Sequence, residues 1–216
     1  MRQEVSLLLW DFDLLCLKIL KAKNMSKKIL ILNGSPKKDG NTSLMTDWFG
    51  DAARTKGADV EIVRTAFLKY KTNGCISCRK CQKIDNYECC IDDDAKPVLA
   101  KMAEVDVIVF ATPLYFFGAS AQIKLVFDRM FSLYKWDNDA CTMKTPLKGK
   151  TLVVLASAFE DIGLDALEKP FALTAEYTGM KFESVLAENA GTSGEITKKR
   201  PDVQEKIESL AFKIAI

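Results

Sequence analysis

Short apolar runs punctuate this chain and divide it into predicted strands. Lys28 to Leu32, Val60 to Val63, Val105 to Ala111, Thr151 to Ala156 and Phe182 to Leu186 are each bounded by polar or turn-forming residues, as expected of strands with both faces covered. Pro113 is placed to stop the third of them. Between the strands the period changes. Asn41 is placed to cap a helix whose Leu44, Met45, Trp48, Phe49, Ala52 and Ala53 form one apolar stripe, and Gly57 closes it. Pro97 to Glu104 reads as a brief helix. Ser120 opens another, with Ile123, Val126, Phe127, Met130, Phe131 and Tyr134 on one face. Further helices run from about Gly163 to Tyr177 and from Asp202 onward. Lys71 to Asp94 has no clean periodicity and reads as an insertion, and Lys135 to Lys150 as a polar connection. Five strands alternating with helices imply an α/β fold in which right-handed crossovers build a parallel sheet covered on both faces. Five short strands in a doubly wound sheet point to the order 2-1-3-4-5.

Composition narrows the chemistry. The 216 residues, 48% hydrophobic with a net charge of +2, describe one domain with a sizeable core. They argue against an electrostatic nucleic-acid binder, since the basic clusters at Lys27-Lys28, Lys37-Lys38 and Lys198-Lys199-Arg200 are short and scattered. Histidine is absent, which excludes His-based acid–base catalysis, Ser-His triads and His-ligated zinc. Any reaction must rest on a cofactor, a metal, a thiol or a carboxylate. The seven cysteines are odd in number and five lie between Cys75 and Cys90. That distribution speaks for metal-binding or redox-active thiols in a reducing cytoplasm rather than a secreted disulfide framework. Cys16 and Cys141 stand alone. Near the N-terminus, Asp11, Asp13 and Lys18 interrupt the apolar residues, so no run approaches the ~20 needed to span a membrane. Residues 1–24 are expected to be an extension outside the fold, with residues 25–216 forming the domain.

Two loops follow predicted strands and open onto helices, at the carboxyl edge where such sheets bind ligands. The first runs from Gly34 to Ser43. Five residues separate Gly34 from Gly40, and Asn41 stands where a phosphate-binding P-loop needs Lys, so it is not that motif. It also lacks the G-x-G-x-x-G of a dinucleotide fold. Its donors Ser35, Asn41, Thr42 and Ser43, with free N–H groups at a helix N-terminus, suit a terminal phosphate. The second loop, Pro113-Leu114-Tyr115-Phe116-Phe117-Gly118, places consecutive aromatic rings and backbone amides where a planar heterocycle could pack. Between them lies Cys75-x2-Cys78-x2-Cys81-x7-Cys89, with Cys90 adjacent. Three thiolates at this spacing wrap one face of a cubane and a fourth closes the site. A tetrahedral zinc would use the same ligands.

The first loop, the stretch Thr112 to Lys124 and the following Phe127-Asp128-Arg129 resemble the flavodoxin-like NAD(P)H-dependent FMN reductases, and within that group the iron–sulfur flavoproteins. The resemblance runs from about Lys28 to the C-terminus. It implies a flavodoxin-like fold and an FMN-dependent oxidoreductase. Ser35, Asn41, Thr42 and Ser43 are then expected at the FMN phosphate, and Pro113 to Gly118 at the isoalloxazine, with Ser157 on its other side. It also implies a compact cysteine motif ahead of an acidic pair, here Asp93-Asp94. Counting back from that pair selects Cys89 over Cys90 as the fourth ligand, beside Cys75, Cys78 and Cys81, of a [4Fe-4S] cluster expected to exchange electrons with FMN. Asp128 and Arg129 are expected to be structural, behind the flavin loop. Implied partners are NAD(P)H or a ferredoxin-like donor, a small-molecule or protein acceptor, and a second copy of the chain in a homodimer or homotetramer. Two alternatives stay open: a cluster-free NAD(P)H-dependent quinone, nitro or flavin reductase, and a four-cysteine zinc module on the same scaffold.

Overall fold

The structure, a computed structural model, describes residues 26–137 and 140–216. The expected extension 1–24 lies outside these residues. The central sheet has the parallel order β2-β1-β3-β7-β8, formed by β1 (Lys28–Asn33), β2 (Asp59–Arg64), β3 (Val107–Tyr115), β7 (Thr151–Ser157) and β8 (Lys181–Ala187). Renumbered by sequence within the sheet, this is the expected 2-1-3-4-5 order. The helices are α1 (Asn41–Thr55), α2 (Ala95–Glu104), α3 (Ala121–Phe127), α4 (Leu164–Thr178), α5 (Ile196–Lys199) and α6 (Pro201–Ile214).

Alternation along the strands sorts the core into two layers. Leu30, Leu32, Ile108, Phe110, Leu152 and Val154 face one way, against Leu99 and Met102 of α2, Ile123 and Val126 of α3, and Leu167 and Phe171 of α4. Ile29, Ile31, Val107, Val109, Val153 and Leu155 face the other way, against Met45 and Phe49 of α1 and Val203, Ile207 and Ala211 of α6. Both faces of β1, β3 and β7 are therefore apolar, which is why those strands read as unbroken runs.

Four local expectations are corrected. Asn41 does not cap α1. The N-cap is Gly40, without a side-chain bond, while the Asn41 amide turns away and donates to the Ala190 and Gly191 carbonyls, each at 3.1 Å. Pro113 does not stop β3, which runs to Tyr115 and turns back through β4 (Gly118–Ala119). The Ala111 carbonyl accepts from Gly34 N–H on the β1 side. Two residues on, Pro113 faces the same side, where β1 has already ended, so its missing N–H leaves no ladder bond unmade. The helix from Ser120 tightens into a 3-10 turn at Asp128–Leu133. Finally, the polar connection contains a small hairpin, β5 (Lys135–Asp137) with β6 (Thr142–Lys144). No helix among the described residues is long and apolar enough to cross a membrane.

Candidate functional site

At the carboxyl edge of the sheet, the chain leaves β1 through a tightly packed corner. Gly34 donates to the Ala111 carbonyl at 2.8 Å and accepts from the Ser120 hydroxyl at 2.9 Å. A Cβ there would stand 2.2 Å from Ile123 Cγ1, so only glycine allows α3 this close. Asn33, fully buried, accepts from Ser35 N–H at 2.8 Å through Oδ1 and donates to Ser43 Oγ at 3.1 Å. The Ser43 hydroxyl in turn donates to the Lys37 carbonyl at 3.0 Å. Arg64 at the end of β2 braces the loop from outside, donating to Ser43 Oγ and the Lys38 carbonyl.

This corner delivers the start of α1 with its backbone donors unspent. Leu44 N–H bonds the Gly40 carbonyl at 3.1 Å, while the N–H groups of Asn41, Thr42 and Ser43 before it have no acceptor among the described residues. Four such orphan donors are inherent to a helix N-terminus, and an anion satisfies them with help from the helix dipole. Thr42 Oγ1 lies 2.9 Å from Ser157 Oγ at the end of β7. One hydroxyl of the pair donates to the other, so one proton remains for a ligand.

A cleft of about 310 Å³ opens over these groups. It brings together Ser35, Asn41, Thr42, Pro113, Leu114, Tyr115 and Ser157 from three separate stretches of sequence. Ser43, Phe116, Phe117 and Gly118 are not in its wall. Ser43 is spent inside the loop, and Phe116 projects outward at 99% exposure. Phe116 and Phe117 occupy the turn between β3 and β4 with φ of 49° and 66°, a left-handed pair that aromatic residues rarely adopt. Phe117 rests on Gly163, where a Cβ would stand 2.4 Å from its ring. The wall also includes residues that sequence reading missed: Lys37, Gly40, Ala158, Phe159 and the segment Gly191 to Ser193. The Gly-containing loop after β8 was visible in the sequence, but its approach to α1 was not. That approach is made by the Asn41 amide. Of the lining residues only Lys37 and Tyr115 carry ionisable side chains.

The cysteines form a second locus. Cys75, Cys78, Cys81, Cys89 and Cys90 line one small cavity with Arg79, Arg129 and Phe131. All five are free thiols, and Cys81 and Cys89 are buried. They share this cavity without converging on one point: among the described residues no three His, Cys, Asp or Glu side chains are grouped to hold a single ion. Ser77 and Arg79 both have φ of 53°, strained positions that fold the short spacing back on itself. Burial pushes the Cys81 thiol up, against the bond from Gln82. Gln82 also donates to the Phe131 and Tyr134 carbonyls, and Lys135 donates to the Cys81 carbonyl.

The acidic pair closes this insertion. Asp94 accepts from Lys69 N–H at 2.8 Å and Asp93 from Lys71 N–H at 3.0 Å, which pins its entry to its exit. Arg129 meets the exit from the 3-10 turn. One of its terminal nitrogens donates to both Asp93 oxygens at 2.8 Å and the other to the Ile91 carbonyl at 3.2 Å. The pair is almost wholly buried, with side chains 0% and 2% exposed. Arg129 is structural, as expected, on the continuation of the helix from Ser120, and its side chain also enters the wall of the cysteine cavity. Burial works against its charge, and the bond to Asp93 together with the nearby Cys89 thiol more than offsets this. Its Nε is the one buried side-chain nitrogen or oxygen among the described residues without a partner. Leaving such a donor unmet costs about 1–3 kcal/mol or more for a charged group. The thiols and this orphan donor thus face one cavity of about 20 Å³.

Comparison with known proteins agrees with this architecture. The model of the NADPH-dependent FMN reductase family matches residues 27–182. An iron–sulfur flavoprotein of Methanocaldococcus jannaschii is 36% identical over 102 residues, covering 47% of this chain and 51% of that protein. One from Methanosarcina thermophila is 32% identical over 103 residues, covering 47% and 51%. The chain thus spans about half the length of these relatives. Among solved structures, an FMN-dependent NADH-azoreductase of Bacillus anthracis in complex with FMN superposes with a TM-score of 0.64 at 14% identity, covering 88% of this chain and 100% of that one. At that identity the likeness concerns the fold.

Proposed function

Because the chain belongs to the NADPH-dependent FMN reductase family, we propose that it is an FMN-dependent oxidoreductase that holds FMN in the 310 Å³ cleft and a [4Fe-4S] cluster on Cys75, Cys78, Cys81 and Cys89. The observation that carries the flavin reading is the uncapped start of α1, where Asn41 and Thr42, with unspent N–H groups, line the same cleft as Pro113, Leu114 and Tyr115.

The chain's own residues divide the work. The N–H groups of Asn41, Thr42 and Ser43 and the hydroxyl shared by Thr42 and Ser157 donate to the phosphate, with Ser35 beside them. Lys37 adds positive charge at the cleft wall. Asn41 acts through its side chain on the 190–191 loop, and Ser43 through the loop's own bonds, so both position the phosphate site rather than cap it. Leu114 and Tyr115 pack one side of the ring, with Phe159 available at the other margin. When bound, the flavin supplies the electron-transfer chemistry, which suits a cleft with no side-chain acid or base poised for catalysis.

The cluster reading draws on the printed names of the relatives, on the five thiols around one cavity and on the unmet Arg129 donor. Its role is to pass electrons to or from FMN, with NAD(P)H or a ferredoxin-like protein as donor. Five free thiols in one segment suit a reducing, cytoplasmic setting. The outward Phe116 suits a contact with a second copy of the chain, in a homodimer or homotetramer.

Thr42→Ala tests the flavin reading. A charge-assisted hydrogen bond is worth about 1.5–3 kcal/mol, so FMN should bind about tenfold or more weakly while riboflavin, which has no phosphate, is little affected. Titration of flavin fluorescence measures both. Equal losses for the two ligands refute the assignment.

A further inference from the structure

The 3-10 turn at Asp128–Leu133 holds the exit of the cysteine insertion. Just after Cys90, Arg129 bonds the Ile91 carbonyl and both oxygens of Asp93. At the entry, Gly74 only packs beside Asp128, where a Cβ would be in ordinary van der Waals contact with its carboxylate. Arg129 has no freedom to move, since its side chain is fully buried and its two terminal nitrogens are already engaged.

The remaining donor, Nε–H, is buried and has no protein acceptor, and Arg129 is in the wall of the cavity that the five thiols share. A guanidinium fixed in this way can aim one N–H at an acceptor in the cavity, which a flexible ammonium cannot do. We propose that Arg129 is a positioning residue of the cysteine site: held by Asp93 and Ile91, it donates its Nε–H to a sulfur of the group that the cysteines bind. This rests on the cluster reading above. The consequence is physical. A hydrogen bond to a cluster sulfur stabilises the more negative, reduced state and raises the reduction potential. Arg129 thereby sets the potential as well as the shape of the site.

Protein prepared without oxygen and labelled with 15N at arginine Nε provides the test, with Arg129→Lys assigning any coupling to Arg129 rather than to Arg79, which lines the same cavity. After reduction by dithionite, pulsed EPR of the cluster signal should show a weak 15N coupling. Iron and acid-labile sulfide are counted on the same sample. Arg129→Lys should retain iron, sulfide and FMN, lose the 15N coupling and lower the cluster potential in a redox titration. Iron and sulfide present with no 15N coupling in the unsubstituted protein overturns the role given to Arg129 and leaves the cluster reading standing. An unchanged potential in a loaded Arg129→Lys variant overturns it equally. Unsubstituted protein with zinc, or with neither iron nor sulfide, overturns the cluster reading and this inference together.

Discussion

The cleft proposed for flavin and the cysteine cavity are built by opposite means. The cleft stands on the ends of β1, β3 and β7, whose ladders place Gly34, Pro113 and Ser157 before any ligand arrives. The cysteine segment has one short 3-10 turn, Lys80–Lys83, and is tied down by side chains: Asp93 and Asp94 at its stem and Arg129 beneath. Backbone ladders pre-organise a site at no cost to the ligand, whereas a segment held by a few polar clamps depends on its bound group for the remaining order. The first region should therefore tolerate loss of its ligand better than the second.

The sharpest way to separate the two is Cys78→Ser. On the proposed cluster reading, iron and sulfide should fall from about four each per chain to background while FMN remains bound, as read by metal analysis and flavin absorbance. Loss of flavin as well would join the two regions into one unit. The reverse cut is Gly34→Ala, which places a methyl 2.2 Å from Ile123 Cγ1 and 2.7 Å from Ser120 Oγ. Overpacking of this kind costs about 1–3 kcal/mol. It should lower the denaturant midpoint and weaken FMN, while folded protein keeps its full complement of iron and sulfide.

The smallest effect concerns the stem of the insertion. Tyr70 donates to the Thr65 carbonyl at 2.8 Å, and burial, with the nearby Asp93 charge, pushes its pKa from 10.0 up to about 12. The folded state keeps a proton that the unfolded chain releases, so Tyr70 contributes stability in full below pH 10, and this is lost as pH rises towards 12. Urea midpoints measured across that window should fall with pH, and Tyr70→Phe should flatten the slope. An equal slope in the variant would show that other groups dominate.

Much of this was legible in the chain because it depends on near neighbours. The central apolar runs became β1, β3 and β7 with both faces covered, while β2 and β8 lie at the sheet edges and are only partly buried. The 3.6-residue stripe of Leu44 to Ala53 became α1, and the order 2-1-3-4-5 is the one that five short strands in a doubly wound sheet suggest. What misled was local inference applied to positions governed by distant ones. Asn41 has the chemistry of a cap, yet Ala190 and Gly191, about 150 residues away in sequence, offer its amide a better use. Pro113 has the chemistry of a strand terminator, yet the end of β1 removes the partner its N–H would need.

The sequence by itself determined the five main strands, the larger helices, the two loops at the sheet edge and the spacing of the thiols, because periodicity and turn chemistry act over a few residues. Only the tertiary structure decided which donors stay unspent. Thr42 meets Ser157 across 115 residues of sequence, Lys37 and Gly191 to Ser193 close the cleft, and the Arg129 side chain enters the wall of the cysteine cavity. Whether a buried polar atom has a partner depends on groups brought together by packing, and no local pattern encodes that.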